Sequence, residues 1–247
     1  MIKIILSKLV LNALVFAQDI YATFNVEAQK ESKLTLSASG IVEKIYVDVG
    51  DKVKKGTLLL ELDNADLRTS VLLEKKMIQL AKLNLKYSKK AYERFTKIKD
   101  VIDEEKFDNA SAEYERAQIN LAKAKASLAN KQTQLDKTYL RAPFDGVISA
   151  KSIELGSGVS SAKMETLFTL ITPDDLLLKV SLDEKYLSQI KLGQIFTYSI
   201  DNSQNKKKTK VTKIYPSINP QTRSITVEMP AKDLKVGLFG YGHLEVE

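Results

Sequence analysis

The 247-residue chain has no cysteine, which excludes disulfides, cysteine-ligated zinc, a cysteine nucleophile and a lipid-modified N-terminal cysteine. It has one histidine, His243, within a predicted terminal strand, and its four methionines are scattered. Soft metal ligands are therefore not clustered, which favours organic cargo over metal if the protein takes part in transport. There is no nucleophile motif and no phosphate-binding glycine loop. We expect no enzyme activity, no cofactor and no metal site.

Glycine and proline are absent from residues 57–141. Because both residues disrupt helices, their absence over so long a stretch favours helix. Mostly apolar residues recur there in alternating steps of four and three, which is the heptad pattern of helices packed along a seam. The seam positions are Leu67, Val71, Glu74, Ile78, Ala81, Leu85, Ser88, Tyr92, Phe95 and Lys99, then Phe107, Ala110, Tyr114, Ala117, Leu121, Ala124, Leu128, Lys131 and Leu135. The pattern predicts an antiparallel coiled-coil hairpin about 50 Å long, with helices of roughly 35 and 33 residues.

Short polar residues mark where the two helices begin. Asp63 or Asn64 is placed to cap the first helix and Asp103 the second, with the break near residues 99–103, "KDVID". The remaining surface of the hairpin is charged. Two interpretations stay open: a solvated spacer, or an arm that packs against copies of itself or against a partner.

The N-terminal residues resemble a secretory signal. Lys3 and Lys8 precede a short apolar run at residues 9–17, "LVLNALVFA", and Val15 and Ala17 suit cleavage after Ala17. Lys8 interrupts the run, which is short for a membrane-spanning helix. We expect an exported chain, with an uncleaved anchor or a buried strand as the alternatives.

The net charge of +7 comes from 38 basic and 31 acidic residues that are mixed along the chain. A nucleic-acid-binding protein more often concentrates its basic residues and places aromatic residues among them. We therefore expect no nucleic-acid partner.

One segment is written twice, once on each side of the predicted hairpin. "SGIVEKIYVDVGDKVKKGTLLLEL" begins at Ser39, and "DGVISAKSIELGSGVSSAKMETLFTL" begins at Asp145. Each copy is expected to be half of a flattened β-sandwich, with Ile41 and Ile148 in its core. Glycines recur ten residues apart in both copies and are expected in tight turns with positive φ: Gly40, Gly50, Gly146 and Gly156.

The order of segments resembles the periplasmic adaptor subunits, or membrane fusion proteins, of tripartite efflux pumps. "SGIVEKIYVDVGDKVKKGTLLLELD" stands before the hairpin, and "TYLRAPFDGVISAKSIELGSGV" stands after it. "KIYPSINPQTRSITVEMP" and "LKVGLFGYGHLEV" come later in the chain. The resemblance covers nearly all of the chain after the signal.

This resemblance implies an elongated α+β protein of several modules. A split lipoyl-like β-sandwich would carry the inserted coiled-coil hairpin, and a β-barrel domain would come after it. The expected boundaries are 1–17 for the signal peptide, 18–33 with 172–247 for the barrel, 34–64 with 137–171 for the lipoyl-like domain, and 65–136 for the hairpin.

The resemblance also implies a partner-binding site at the hairpin tip. In the family the tip carries an arginine, an apolar residue four positions later, and a serine at the start of the second helix, and it contacts an outer-membrane channel. Arg94 and Ile98 match the first two, whereas Asp103 stands where the serine is expected and the turn is about two residues shorter.

The implied function is an adaptor that joins an inner-membrane transporter of the resistance-nodulation-division type to an outer-membrane channel and seals the conduit for drugs or other toxic compounds. It would form a homo-oligomeric ring of six copies in the periplasm, without a lipid anchor. Such adaptors usually have a membrane-proximal domain after the barrel, and we expect that domain to be absent or vestigial here.

Three alternatives are considered, and two of them belong to other classes of protein. A lipoyl or biotinyl carrier needs a lysine at the turn between the sandwich halves, but residues 63–65 are "DNA". An adaptor of an ABC-type exporter would share most of these segments. A purely structural coiled-coil protein would not need the duplicated sandwich half.

Overall fold

The computed structural model describes residues 19–200 and 206–246, so the predicted signal peptide lies outside the described residues. The described chain forms two compact units. One is built from Ser32–Leu170, and the other from the segment that ends at Glu31 together with the segment that begins at Ile171.

Two long α-helices and fifteen β-strands make up the described residues, with short 3-10 turns between some of them. The helices are α1 (Ala65–Thr96) and α2 (Glu104–Asp136). The strands are β1 (Ile20–Ala28), β2 (Glu31–Leu34), β3 (Gly40–Ile45), β4 (Lys52–Val53), β5 (Leu58–Leu62), β6 (Tyr139–Arg141), β7 (Gly146–Lys151), β8 (Gly158–Val159), β9 (Phe168–Ile171), β10 (Leu176–Asp183), β11 (Ile195–Ser199), β12 (Lys207–Lys210), β13 (Lys213–Asn219), β14 (Ser224–Ala231) and β15 (Phe239–Leu244).

The two copies of the duplicated segment exchange strands. One four-stranded sheet has the order β2-β9-β7-β4, and the other has the order β6-β5-β3-β8. Strand β4 of the first copy pairs with β7 of the second, while β8 of the second copy pairs with β3 of the first. Neither copy can complete its own sheet, so the two copies fold as one body around the hairpin between them.

Both sheets contribute to one apolar core. Its buried members are Leu34, Leu36, Val42, Val53, Leu59, Leu60, Leu62, Leu140, Ala142, Ile148, Val159, Leu167, Phe168 and Leu170. Ile148 is fully buried, as the sequence predicts, but the prediction for Ile41 is wrong because its side chain is 59% exposed. Val42 is the buried residue instead, and since side chains alternate along a strand, Ile41 faces outward.

The prediction of positive φ is confirmed for two of the four repeated glycines. Gly50 and Gly156 have φ of 94° and 80°. Gly40 and Gly146 are the first residues of β3 and β7 and do not have positive φ, so the prediction is wrong for them. In each copy, therefore, only the second of the two repeated glycines has a backbone conformation that favours glycine.

The second unit is an antiparallel seven-stranded sheet with the order β12-β11-β15-β1-β10-β14-β13. Phe24 and Phe196 are fully buried at its centre, with ring centroids 6.1 Å apart. A Cβ on Gly242 would lie 2.5 Å from Cζ of Phe196, so glycine is required there by the close approach of the ring. His243 is exposed on β15, where its ring packs edge-on against Tyr21.

Helices α1 and α2 run antiparallel and pack along the predicted seam. Every predicted seam position from Leu67 to Phe95, and every one from Phe107 to Leu135, is buried or half-buried. Lys99 lies beyond α1 and is exposed. The helices themselves have 32 and 33 residues, so α1 ends slightly earlier than the periodicity suggests.

The helix starts are only partly as predicted. The Asp103 carboxylate accepts a hydrogen bond from the backbone N–H of Glu105 at 3.1 Å, so its predicted role as N-cap of α2 is confirmed. At the start of α1 the Asp63 carboxylate, one of the two predicted alternatives, accepts from the backbone N–H of Ala65 at 3.3 Å, whereas Asn64 occupies the N-cap position but its side chain makes no capping bond. It donates instead to Oγ1 of Thr138 at 2.9 Å, which ties the two ends of the hairpin together where they leave the sandwich.

Candidate partner-binding site

The tip of the hairpin is a short turn between α1 and α2. Lys97 caps α1, the residues from Lys99 to Val101 form one 3-10 turn, and Asp103 caps α2. The predicted break near residues 99–103 is thus confirmed, with the turn beginning two residues earlier.

Arg94 lies in the last turn of α1 and is exposed. Its guanidinium carbon is 5.4 Å from the centroid of the Phe95 ring, and it makes no ion pair with another described residue. A positive charge near a helix C-terminus is favourable because the helix dipole is negative there. Because the guanidinium has no ion-pair partner among the described residues, its five N–H donors are available to carbonyls or a carboxylate on another molecule.

Ile98 lies four residues after Arg94, a spacing that would put both on one face of a continuous helix, but the two do not share a helix face here. The helix has ended at Thr96, and Ile98 has φ of −123°, outside helical geometry. The turn places its side chain at the surface, where it is 42% exposed. Ile98 is therefore part of the tip surface, but the turn positions it rather than helical periodicity.

Asp103 differs from the other two residues because its side chain already has a partner. Besides the bond from Glu105, its backbone carbonyl accepts from the N–H groups of Lys106 and Phe107 at 3.1 and 3.3 Å. A structural role as helix cap therefore accounts for this residue. Any contact with a partner would have to use the carboxylate oxygen that the cap leaves free.

Val101 is a tip residue that the sequence analysis missed. Its side chain is 82% exposed, which is the largest exposure among the exposed large hydrophobic residues of the described chain. The signal was present in "KDVID", where Val101 follows Asp100 and precedes Ile102 in a predicted turn. Together with Ile98 it gives the tip two apolar side chains among charged ones.

Aromatic contacts hold the turn in place from below. Tyr92 stacks on Tyr114 with centroids 5.3 Å apart and lies 5.8 Å from Phe107. Lys99 Nζ lies 4.8 Å from the Phe107 ring centroid, a cation–π contact that ties the turn to α2. These rings limit the freedom of the tip, so the Arg94 and Val101 side chains are presented by a defined backbone.

The base of the hairpin is attached through a buried carboxylate. Glu61 is 3% exposed on β5, and it forms an ion pair with Arg68 in the first turns of α1. The Tyr46 hydroxyl donates to Glu61 Oε2 at 2.8 Å, and this hydrogen bond raises the pKa of Tyr46. The direction of α1 is thus linked to the sandwich by charge as well as by the main chain.

These features define a class of protein: a barrel-sandwich hybrid made from a duplicated segment, with a long helical hairpin inserted between the copies. The sequence profile of the CzcB-like barrel-sandwich hybrid domain matches residues 30–171, which covers more than half of the chain. The chain belongs to this CzcB-like family.

Two curated relatives share most of this chain. The cobalt-zinc-cadmium resistance protein CzcB of Cupriavidus metallidurans is 27% identical over 213 residues, covering 81% of this chain and 40% of CzcB. The macrolide export protein MacA of Yersinia pestis is 26% identical over 215 residues, covering 79% of this chain and 57% of MacA. The chain spans about half the length of these relatives.

Solved structures share the fold at lower identity. The crystal structure of MacA from Actinobacillus actinomycetemcomitans superposes with a TM-score of 0.82 at 20% identity, over 94% of this chain and 79% of MacA. ZneB from Cupriavidus metallidurans gives a TM-score of 0.59 at 19% identity, over 93% of this chain and 98% of ZneB. Among residues 19–200 and 206–246, no helix combines the length and the apolar character that crossing a membrane requires.

Proposed function

We propose that this protein is the periplasmic adaptor of a tripartite efflux pump. It joins an inner-membrane transporter to an outer-membrane channel and seals the conduit through which drugs or other toxic compounds leave the cell. Its role is structural and not enzymatic. Membership in the CzcB-like family and the similarity to CzcB and MacA, which are named for resistance and export, support this proposal.

The hairpin tip carries the proposal. Its two apolar side chains, Ile98 and Val101, are exposed beside Arg94 at the end of two helices that each rise about 48 Å. A spacer would need no apolar residues at its end. Exposed apolar groups in a defined place are typical of interaction sites, so the tip favours a binding role. We assign Arg94, Ile98 and Asp103, together with Val101, to contact with the outer-membrane channel.

The duplicated sandwich fits the lipoyl-like domain of an adaptor better than a carrier domain. A lipoyl or biotinyl carrier presents a lysine at the turn between its halves. Here Asp63 and Asn64 occupy that turn and lead directly into α1. The turn serves as the attachment point of a coiled-coil hairpin, and the seven-stranded sheet corresponds to the β-barrel domain of the same plan.

The proposed partners are those that the resemblance to periplasmic adaptors implies. The transporter is of the resistance-nodulation-division type, and the adaptor forms a homo-oligomeric ring of six copies around the conduit. The chain is exported to the periplasm after cleavage at Ala17 and is held at the inner membrane by its transporter. Because the chain has one histidine and no cysteine, we place the choice of cargo in the transporter.

The tip is tested by reversing its charge or adding charge to its apolar surface. Arg94→Asp and Val101→Asp should each leave the melting temperature nearly unchanged, since exposed substitutions usually cost less than about 0.5 kcal/mol. Each should abolish co-purification of the outer-membrane channel after cross-linking in cells, and with it export, because an interface anchor can be worth about 2 kcal/mol or more. Mass spectrometry of the wild-type complex would identify the transporter.

Lys75→Asp is the matched control, because Lys75 is exposed on α1 but lies far from the tip. It makes the same type of charge reversal and should keep channel capture and export. If both tip variants also keep them, the tip does not bind the channel and the adaptor proposal loses its main support. An ATP-hydrolysing transporter in the purified complex would replace the proposed transporter type by an ABC exporter.

A further inference from the structure

The seven-stranded sheet carries aromatic side chains on the face that its core does not use. On β15 every second residue is buried, and the residues between them lie on the opposite face because side chains alternate along a strand. They are Phe239, Tyr241 and His243. Tyr21 on β1 is paired with His243 and therefore lies on the same face. We call these four residues the aromatic surface.

The rings of this surface are open to solvent and in contact with one another. Tyr21 is 60% exposed and Phe239 is 58% exposed. The Tyr21 ring centroid lies 6.1 Å from that of Tyr241, in a stacked arrangement, and 5.5 Å from that of His243. Along β15 the distance from Phe239 to His243 is about 13 Å, so the row is longer than one six-membered ring. Large exposed rings gathered in one place are typical of a binding surface.

The polar groups beside these rings are uncharged. Thr23 is paired with Tyr241 on the neighbouring strand, and Asn25 is paired with Phe239. Asn25 is exposed and Thr23 is half-buried. The hydroxyl and the amide can each donate and accept hydrogen bonds. The surface therefore offers ring faces for stacking and neutral groups for hydrogen bonding, side by side.

Charged side chains at the margins of the aromatic surface are already paired within the chain. On one side, Nζ of Lys179 lies 2.6 Å from Oε2 of Glu27. On the other, Nζ of Lys208 lies 3.2 Å from Oε1 of Glu245. A charged ligand would have to compete with these ion pairs, so electrostatic complementarity favours a neutral one.

The shape of the site favours a sugar chain over other neutral ligands. A small apolar molecule needs a concave pocket that encloses most of its surface, and an open sheet face does not provide one. A stable protein interface buries about 800 Å² on each partner and would have to extend over the marginal ion pairs. Pyranose rings have flat C–H faces that stack on the negative faces of aromatic rings, and their edges carry hydroxyl groups that bond to amides.

We propose that the aromatic surface binds a neutral polysaccharide, the glycan strands of the cell wall. These strands are chains of N-acetylated amino sugars, so several linked rings can lie along β15 while an acetamido group bonds to Asn25. The inference rests on the proposed periplasmic location and adds a second binding site to the adaptor. It would hold the seven-stranded sheet against the cell wall without using the hairpin tip.

Sedimentation of the purified protein with isolated cell-wall sacculi tests the inference. The chain has a net charge of +7 and sacculi carry carboxylates, so charge attraction alone could cause binding at low salt. At about 1 M salt the Debye length is about 3 Å, and such attraction is screened. We expect binding to persist there and to be displaced by chitohexaose, a soluble hexamer of N-acetylglucosamine.

Single substitutions locate the site. Tyr21→Ala and Phe239→Ala should each weaken sacculus binding about tenfold, because each removes a ring on which a sugar stacks. Both should leave the melting temperature nearly unchanged, since the side chains are exposed. Tyr87→Ala is the matched control, because Tyr87 is 61% exposed on α1 and the same side chain is removed. It should bind sacculi as the wild type does.

Three results would overturn the inference: no sacculus binding at about 1 M salt, no displacement by chitohexaose, or equal binding by Tyr21→Ala and Tyr87→Ala. Loss of transporter co-purification in Tyr21→Ala with unchanged sacculus binding would assign the surface to a protein partner instead. Channel capture by the wild-type chain without sacculus binding would contradict only the glycan site. Sacculus binding combined with full channel capture by Arg94→Asp would contradict only the role of the tip.

Discussion

The two copies of the duplicated segment agree in their core and differ in the loops and elements attached to it. Val42 and Val53 in the first copy are buried, and so are Ile148 and Val159 in the second. A glycine with positive φ also precedes the short strand of each copy: Gly50 lies between β3 and β4, and Gly156 lies between β7 and β8. The positions that the copies share are thus those that the interlocked sandwich needs.

The differences begin after the short strand of each copy, which is β4 in the first and β8 in the second. In the first copy only residues 54–57 separate β4 from β5, and Gly56 has φ of 86°. In the second copy β8 and β9 are separated by residues 160–167, where Met164 has φ of 48° and is exposed. The first copy then leads into the hairpin and the second into the other unit. The copies therefore differ in the connection after the short strand and in the element that follows the last strand.

The largest expected effect is in the shared core. Ile148→Ala should lower the free energy of unfolding by about 2–5 kcal/mol, and Val42→Ala by about 1–3 kcal/mol, because each leaves a cavity between the sheets. Ile41→Ala, one residue away, should change it by less than about 0.5 kcal/mol since the side chain is exposed. Chemical denaturation of the three variants measures this.

A large effect of Ile41→Ala with a small effect of Val42→Ala would mean that β3 has the opposite phase. The comparison between the copies would then fail, because Ile41 and not Val42 would correspond to Ile148. Equal small effects at all three positions would show that the duplicated segment does not form the core.

The sequence could predict the hairpin because its signals are local. Heptad spacing from Leu67 to Leu135, the absence of glycine and proline, and a capping aspartate each act within a few residues of chain. The structure agrees at every seam position that lies within the helices. Two details differed: the seam was predicted to run on to Lys99, although α1 ends at Thr96, and the Asn64 side chain does not cap α1.

The strand exchange could not be predicted from the repeat. A repeated segment shows that two halves are alike, but not whether β4 pairs with its own copy or with the other one. The strand phase was equally open at Ile41 and Val42, since adjacent β-branched residues suit either face. At the tip, Arg94 was assigned from a resemblance, whereas the exposure of Val101 depends on a turn whose geometry the sequence does not specify.

A smaller effect is expected at the turn glycines. Gly50→Ala and Gly156→Ala should each cost about 1–2 kcal/mol, because a residue with a Cβ is strained at positive φ even where space is open. The two costs should be similar if the copies are structurally equivalent there. Thermal and chemical unfolding of both variants measure them.

Gly158→Ala is the matched control, because a Cβ there would meet nothing within 4 Å and φ is not positive. It should be nearly neutral. A neutral Gly156→Ala beside a costly Gly50→Ala would mean that the second turn relaxes where the first cannot, and the copies would then differ in rigidity.

The smallest effect is expected at an ion pair that joins the two copies. Nζ of Lys151 in the second copy lies 3.3 Å from Oδ1 of Asp48 in the first. The backbone N–H of Val49, and after it Lys151, lowers the pKa of Asp48. A carboxylate with a lowered folded-state pKa stabilises the fold above its unfolded pKa of about 3.9, and this contribution is lost as the pH falls through the folded-state value. Asp48→Asn should therefore be slightly less stable than wild type at neutral pH, and the difference should shrink as the pH falls below about 4. Unfolding free energies of both proteins across that range measure it, with Asp174→Asn in the exposed segment before β10 as a control for general acid effects. If the difference in unfolding free energy between Asp48→Asn and wild type stays constant with pH, the charge of Asp48 is not its cause.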